Sequence, residues 1–250
     1  LTEAEGNIET AIDILKETGL SQAAKKSDRI AAEGLVGMMI SEDGKKAAMT
    51  EVNSETDFVA TNEELQTFVA NVTKVAMEKE PKDLEALLAS EYSAGVTVEA
   101  ELTSKIAKIG ENMNVRRFSA LSIESGRISG YVHGAGKIAV LVKLEAASDS
   151  EKLDELGKDI AMQVAAMNPK YISRDDVDQD YINHEREILI QQALNEGKPQ
   201  NIVEKMVEGR LQKQLKEVCL LEQTFVKDSD KAVKDVVADT AKALGVEIKV

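Results

Sequence analysis

One arrangement of elements occurs twice in this chain, and it restricts the fold more than any single motif does. Residues 34–40 and 45–52 are short apolar runs flanking Ser41-Glu42-Asp43-Gly44. An Asp-Gly pair between two such runs marks a β-hairpin. Residues 126–132 and 137–144 repeat the pattern around His133-Gly134-Ala135-Gly136. Gly34, Gly44, Lys45 and Ala47 align without a gap with Gly126, Gly136, Lys137 and Ala139. Each hairpin leads into a helical pattern, over residues 53–79 and 149–167. Each copy then closes on a helix, a glycine and a strand: Ile106-Ala107-Lys108-Ile109-Gly110 before Val115-Arg116-Arg117-Phe118, and Thr240-Ala241-Lys242-Ala243-Leu244-Gly245 before residues 246–250. The expected fold class is therefore α+β, with two similar subdomains built as hairpin, helix, helix and third strand.

In the first copy Leu65, Phe68, Val69, Val72, Val75 and Ala76 form one helical stripe. Its start is ambiguous, because Ser54-Glu55-Thr56-Asp57 and Thr61-Asn62-Glu63-Glu64 both match a capping box. The second copy carries an insert. Residues 176–194 place Val177, Tyr181, His184 and Ile188 at steps of four and three, and residues 201–218 place Val203, Val207, Leu211, Leu215 and Val218 on a second stripe. Asn195-Glu196-Gly197-Lys198-Pro199 between them stops one helix and starts the next. The expectation is an antiparallel helical hairpin, packed on its own body or offering a surface for association. Residues 1–33 are expected to be the end of a small helical module, with Glu5-Gly6-Asn7 opening one helix, Gly19 capping it, and a second helix over 21–32. Leu1 is not a natural start. The expected division is residues 1–33, 34–124, 125–172 with 219–250, and 173–218.

Composition narrows the partners. The net charge is −14, from 45 acidic against 31 basic residues, and aromatics are 3% with no Trp. Such a chain lacks the positive field and the stacking platforms that nucleic acid or an anionic lipid surface would require. No apolar run reaches the roughly 18 residues of a membrane span, and the single Cys219 excludes an intrachain disulfide and fits a reducing compartment. A protein partner is expected, with no nucleic acid and no membrane.

Little here points to covalent chemistry. There are two histidines, His133 and His184, and neither a His-x-x-x-His nor a Cys-x-x-Cys pair. Cys219 lies in the apolar run Val218-Cys219-Leu220-Leu221, where an inert buried thiol is the expectation. The stretch from Gly130 to Lys137 and Ile138 has five residues, not four, before its Gly-Lys pair and no hydroxyl residue after it, so it reads as a hairpin tip and not a phosphate loop. His133 at that tip is a solvated loop residue or a surface contact. Neither a cofactor nor a metal is expected, and the chain is not expected to be an enzyme.

The segment with most character is Glu51-Val52-Asn53-Ser54-Glu55-Thr56-Asp57-Phe58-Val59-Ala60, which leaves a strand and enters a helix. A lone Phe is usually core. The alternative is an exposed wedge offering about 2–3 kcal/mol of apolar burial to a partner's pocket, with an acidic neighbour that repels or competes with a ligand carboxylate or phosphate nearby.

At these residues the chain resembles the bacterial translation elongation factor Ts family, the guanine-nucleotide exchange factors of elongation factor Tu. Thr56-Asp57-Phe58-Val59-Ala60 with Asn62, Ile109-Gly110-Glu111-Asn112-Met113-Asn114-Val115-Arg116-Arg117, Tyr131-Val132-His133-Gly134, and Gly197-Lys198-Pro199 with Glu204-Lys205-Met206-Val207-Glu208-Gly209-Arg210 carry the resemblance in order. It implies a ubiquitin-associated-like helical module at 1–33, a two-subdomain core, and a coiled-coil dimerisation hairpin at 173–218, hence a homodimer through that hairpin. It implies that Thr56, Asp57, Phe58 and Val59 dislodge magnesium from Tu, and that His133 and Gly134 make a second Tu contact. It also implies opening helices before Leu1, an extension after Val250, and work in the cytoplasm. A non-catalytic adaptor acting through the helical hairpin is the competing expectation.

Overall fold

The computed structural model describes residues 3–4 and 7–250. The chain divides into two units, Leu1–Lys143 and Leu144–Val250.

In the first unit, α1 (Ile8–Ala24) opens on Asn7, whose side chain accepts from the Thr10 amide at 3.1 Å. Glu5 and Gly6 of the expected opening lie outside the described residues. The expected break at Gly19 is absent: α1 runs through it, and the second helix expected over 21–32 is replaced by turns after Ala24. A glycine costs an α-helix only about 1 kcal/mol, and here it lies against Ala107, 3.8 Å from where a Cβ would sit. The apolar stripe of α1 is largely in water, with Ile8 70% and Leu15 71% exposed.

The hairpin follows as β1 (Glu33–Ile40) and β2 (Lys46–Ser54), antiparallel in unbroken register. Its turn is held by Asp43, whose carboxylate accepts from the Ser41 hydroxyl at 2.6 Å and the Lys45 amide at 3.0 Å. The helical stretch expected over 53–79 begins later and in two pieces. The strand persists through Ser54, then come α2 (Asp57–Ala60) and α3 (Glu63–Lys79). Neither first residue of the two capping-box phrases, Ser54 or Thr61, caps α3; its cap is Asn62, one residue into the second phrase, which accepts from the Glu64 amide at 2.8 Å. The six expected stripe residues of α3 are all buried. They form the core with Ala48 and Val52 of β2 and with residues from the elements that follow. These are α4 (Leu84–Ala89), the short hairpin β3 (Glu91–Ser93) and β4 (Val96–Thr97), α5 (Val98–Ile109) and β5 (Met113–Ser122). β5 pairs antiparallel with β2, so the sheet order is β1-β2-β5, with α3 against its face and α1 against α5.

The second hairpin is β6 (Gly126–His133) and β7 (Ile138–Ala146), and β6 lies against β1. β7 runs into the second unit, where Glu145 and Ala146 pair with the last strand, β10. Between them lie α6 (Glu151–Met167), α7 (Gln179–Asn195), α8 (Gln200–Val218), the hairpin β8 (Thr224–Phe225) and β9 (Asp228–Ala232), and α9 (Val233–Leu244), leading to β10 (Ile248–Lys249). Sheet order β6-β7-β10 matches β1-β2-β5, each with the second hairpin strand in the middle.

α7 and α8 form the antiparallel helical hairpin. The α8 stripe is buried as expected at Val203, Val207, Leu211 and Leu215. The expected stripe on the other arm holds only in part: Val177 and Tyr181 pack against this cluster, but His184 and Ile188 face water, and Leu189 and Ala193 are buried instead. The run Ile188-Leu189-Ile190 is apolar on every side, so the spacing alone leaves the phase of α7 open by one residue. The insert leaves and rejoins its body at one neck. Tyr171 and Cys219 form a parallel bridge; the Tyr171 amide donates to the Val218 carbonyl at 3.1 Å, and the Leu220 amide returns a bond to the Tyr171 carbonyl at 2.8 Å. Beside the neck the fully buried Gln163 donates to Gln223 at 3.1 Å and to the Thr224 carbonyl at 3.0 Å. It accepts from the Val226 amide at 2.8 Å. Cys219 is buried, and that burial pushes its thiol pKa up, as expected for an inert cysteine.

Two features of β2 have measurable consequences. Thr50 is fully buried with its hydroxyl unpartnered. An unmade hydroxyl bond in an apolar core is a net cost, so Thr50→Val should stabilise the fold by about 1 kcal/mol in urea unfolding. Glu51 lies opposite Arg117, whose Nε donates to it at 2.6 Å, and it also accepts from Asn53 at 3.2 Å. Burial works against the charge, but these bonds and the Arg117 and Arg116 charges hold the carboxyl below its usual 4.5. A carboxylate with a depressed folded-state pKa contributes stability above its unfolded-state value and loses it as pH falls through the folded one. Glu51→Gln should therefore lower Tm at pH 7, and the gap to the parent protein should close on acidification below 4.5.

Candidate functional site

Where β2 ends, the chain must turn a strand into a helix within a few residues. Ser54, the last strand residue, is fully buried, and its hydroxyl donates to the Thr56 carbonyl at 3.0 Å. Thr56 stays extended (φ −122°, ψ 156°) as the residue before α2. Its hydroxyl does not cap that helix. It donates instead to the Glu111 carboxylate at 2.6 Å. The other Glu111 oxygen accepts from the backbone amides of Glu55 and Thr56, each at 3.1 Å.

The attachment is mutual. The Glu55 carboxylate accepts from the Asn112 amide at 2.6 Å, and Arg29 lies 3.5 Å from it. The Asn112 side chain donates to the Arg29 carbonyl at 2.7 Å. Glu111 and Asn112 follow Gly110, which ends α5 in the left-handed conformation (φ 88°) and turns the chain into β5. Three separate segments thus meet at the foot of α2: the link from α1 to β1, the end of β2, and the corner between α5 and β5.

The single turn of α2 divides its side chains. Val59 packs against the core, whereas Phe58 is 81% exposed with Asp57 exposed beside it. The turn is closed on its far side by Thr61, whose amide and hydroxyl both donate to the Phe58 carbonyl, at 3.2 and 2.8 Å. α2 lies against β1.

The second predicted pair, His133 and Gly134, forms the exposed tip of the β6–β7 hairpin. His133 Nδ1 lies 3.0 Å from the Tyr131 hydroxyl. Gly134, Ala135 and Gly136 are all left-handed, with φ of 60°, 53° and 92°. Gly136 is buried, and its carbonyl accepts from the Val36 amide of β1 at 2.7 Å. Lys137 then pairs with Glu33 at 2.7 Å. Phe58 and His133 are therefore carried by two elements that rest on the same strand, β1. Among the described residues no group of three His, Cys, Asp or Glu side chains could hold a metal ion, and no helix is long and apolar enough to cross a membrane.

A family model for elongation factor Ts matches residues 55–249. The chain is similar to elongation factor Ts of Clostridioides difficile (strain 630), with 57% identity over 250 residues that cover 100% of this chain and 82% of that protein. It is 53% identical to the Clostridium novyi (strain NT) protein of that name over 247 residues, covering 98% of this chain and 81% of the other. For Clostridium tetani (strain Massachusetts / E88) the identity is 52% over 252 residues, covering 100% and 83%.

The chain belongs to the elongation factor Ts family.

The family match opens at Glu55, inside the carboxylate exchange that supports α2, and it takes in Phe58, Glu111 and the His133 tip. Sequence reasoning singled out Thr56, Asp57, Phe58, Val59, His133 and Gly134. It passed over Glu111, Asn112 and Tyr131 as residues that orient the site. The only available signal was that Glu111 and Asn112 stand inside one of the phrases that carry the resemblance to the elongation factor Ts family, and Tyr131 inside another. Nothing local pairs Glu111 with Thr56, which is 55 residues away.

The glycine of the tip is testable. A Cβ on Gly136 would sit 3.2 Å from Leu35 and 3.3 Å from the Val36 carbonyl, on a backbone that L-residues avoid. Gly136→Ala should cost about 1–2 kcal/mol in thermal or chemical unfolding.

Proposed function

We propose that this chain is a guanine-nucleotide exchange factor for elongation factor Tu, acting in the cytoplasm during translation elongation. It would bind Tu carrying GDP, displace the magnesium ion and release GDP so that GTP can enter. Membership of the elongation factor Ts family supports the partner and the step. The observation that carries the mechanism is the ring of Phe58, 81% exposed on a turn whose other face is anchored in the core.

Exchange of this kind requires no chemical step on the factor's side. It requires that the factor bind nucleotide-free Tu more tightly than nucleotide-bound Tu, and the coupling is reciprocal. Weakening the nucleotide by about 10⁴-fold corresponds to about 5.5 kcal/mol of differential binding. Burying one Phe in a partner's pocket supplies about 2–3 kcal/mol of it. Loss of the metal that neutralises the phosphates supplies a further share. In this reading Phe58 is the wedge, Thr56 and Val59 set its height and direction, and Asp57 places a carboxylate where phosphate and magnesium are held. His133 and Gly134 make a second contact with Tu. With Nδ1 of His133 beside the Tyr131 hydroxyl, Nε2 is the nitrogen left to face a partner.

Release of a fluorescent GDP from Tu tests the proposal. Phe58→Ala should leave the thermal stability of this chain within about 0.5 kcal/mol, because the ring is in water. It should slow factor-stimulated release by about tenfold or more. Unchanged stimulation by the Ala variant would remove the wedge from the mechanism.

A further inference from the structure

A ring used as a wedge is effective only if it is already aimed before the partner arrives. Ordering a mobile side chain and its backbone on contact consumes part of the binding energy. α2 is a single turn of four residues, Asp57–Ala60, too short to hold itself. Val59 seats it on the core, and Glu111 fixes the two residues that lead into it. This one carboxylate takes the amides of Glu55 and Thr56 at 3.1 Å each and the Thr56 hydroxyl at 2.6 Å. The first two are peptide groups at a strand end, where the ladder can no longer supply acceptors. Hydrogen bonds to an ionised carboxylate are about twice as strong as those between neutral groups. Glu55 returns the contact by accepting from the Asn112 amide at 2.6 Å. The exchange fixes both turns against each other.

We infer that Glu111 is a positioning residue for nucleotide exchange: it touches neither nucleotide nor metal, and it acts by holding the turn that aims Phe58. This rests on the wedge reading of Phe58 given above. Because the bonds go to backbone and hydroxyl groups, the requirement is for a two-oxygen acceptor at the end of this particular side chain. Glutamine offers one acceptor oxygen and an amide that cannot accept, so it leaves at least one of the three donors without its partner.

The experiment is a double-mutant cycle on stimulated release of fluorescent GDP from Tu, using Glu111→Ala, Phe58→Ala and the double variant, with thermal unfolding of each. Glu111→Ala is expected to slow stimulated release by about fivefold, and to add nothing once Phe58 is already alanine. A purely structural role would lower stability equally in both backgrounds and would slow exchange additively, which overturns the inference. So does full activity of Glu111→Ala beside a slow Phe58→Ala. Full activity of Phe58→Ala removes the wedge reading itself, and the positioning role falls with it. If Glu111→Ala does not fold, Thr56→Val, which deletes only the hydroxyl bond, replaces it in the same cycle under the same criteria. A second readout is amide hydrogen exchange: the Glu55 and Thr56 amides, which share one Glu111 oxygen, should exchange faster in Glu111→Ala, with the α3 amides unchanged. Equal protection of Glu55 and Thr56 in parent and variant overturns the inference.

Discussion

The end of β2 imposes a conflict that the surrounding structure has to resolve. The strand is central in its sheet and buried through Ser54, yet within five residues the chain must leave the ladder, bury Val59 and present Phe58 to solvent. Leaving a ladder strips peptide amides of their acceptors, and a buried amide without one is costly. A main-chain acceptor would require another strand at this place, which would cover the turn. A glutamate reaching across from the corner after α5 satisfies the same donors with a side chain and keeps the turn open. Because Glu55 reciprocates toward Asn112, neither turn can move without the other.

Under the proposed exchange role, that arrangement also bears on how much of the ring's burial energy reaches a partner. The energy available from one aromatic ring is only a few kcal/mol, and a floppy support would consume much of it. A hydrophobic core under Val59, a carboxylate on one side and Thr61 on the other fix the backbone from which the ring projects. The β6–β7 tip follows the same logic by other means: a buried glycine and one backbone bond to Val36 seat it on β1.

Much of the fold could be read from local pattern. The two hairpins, the shared order of elements along the chain, and the stripes of α3 and α8 follow from periodicity and turn residues, because each has one clearly apolar face. The readings failed where contrast was low. In α7 three consecutive apolar residues hide the phase, and in α1 a glycine resembles a cap but is tolerated inside the helix. The candidate site divides the same way. Phe58 was conspicuous, but its exposure depends on the phase of a one-turn helix, and composition favours the opposite outcome. Glu111 was not legible as a partner of Thr56, since tertiary folding alone brings together residues that far apart in sequence.

The neck between Tyr171 and Cys219 has a bearing on how such a chain can vary. Departing and returning segments lie side by side there, joined by backbone bonds of their own. To the body beneath, the forty-odd residues between Tyr171 and Cys219 amount to a single point of attachment. Length, pitch and surface of that arm are consequently free to drift, shrink or be exchanged by whole turns, while the α+β body keeps its architecture.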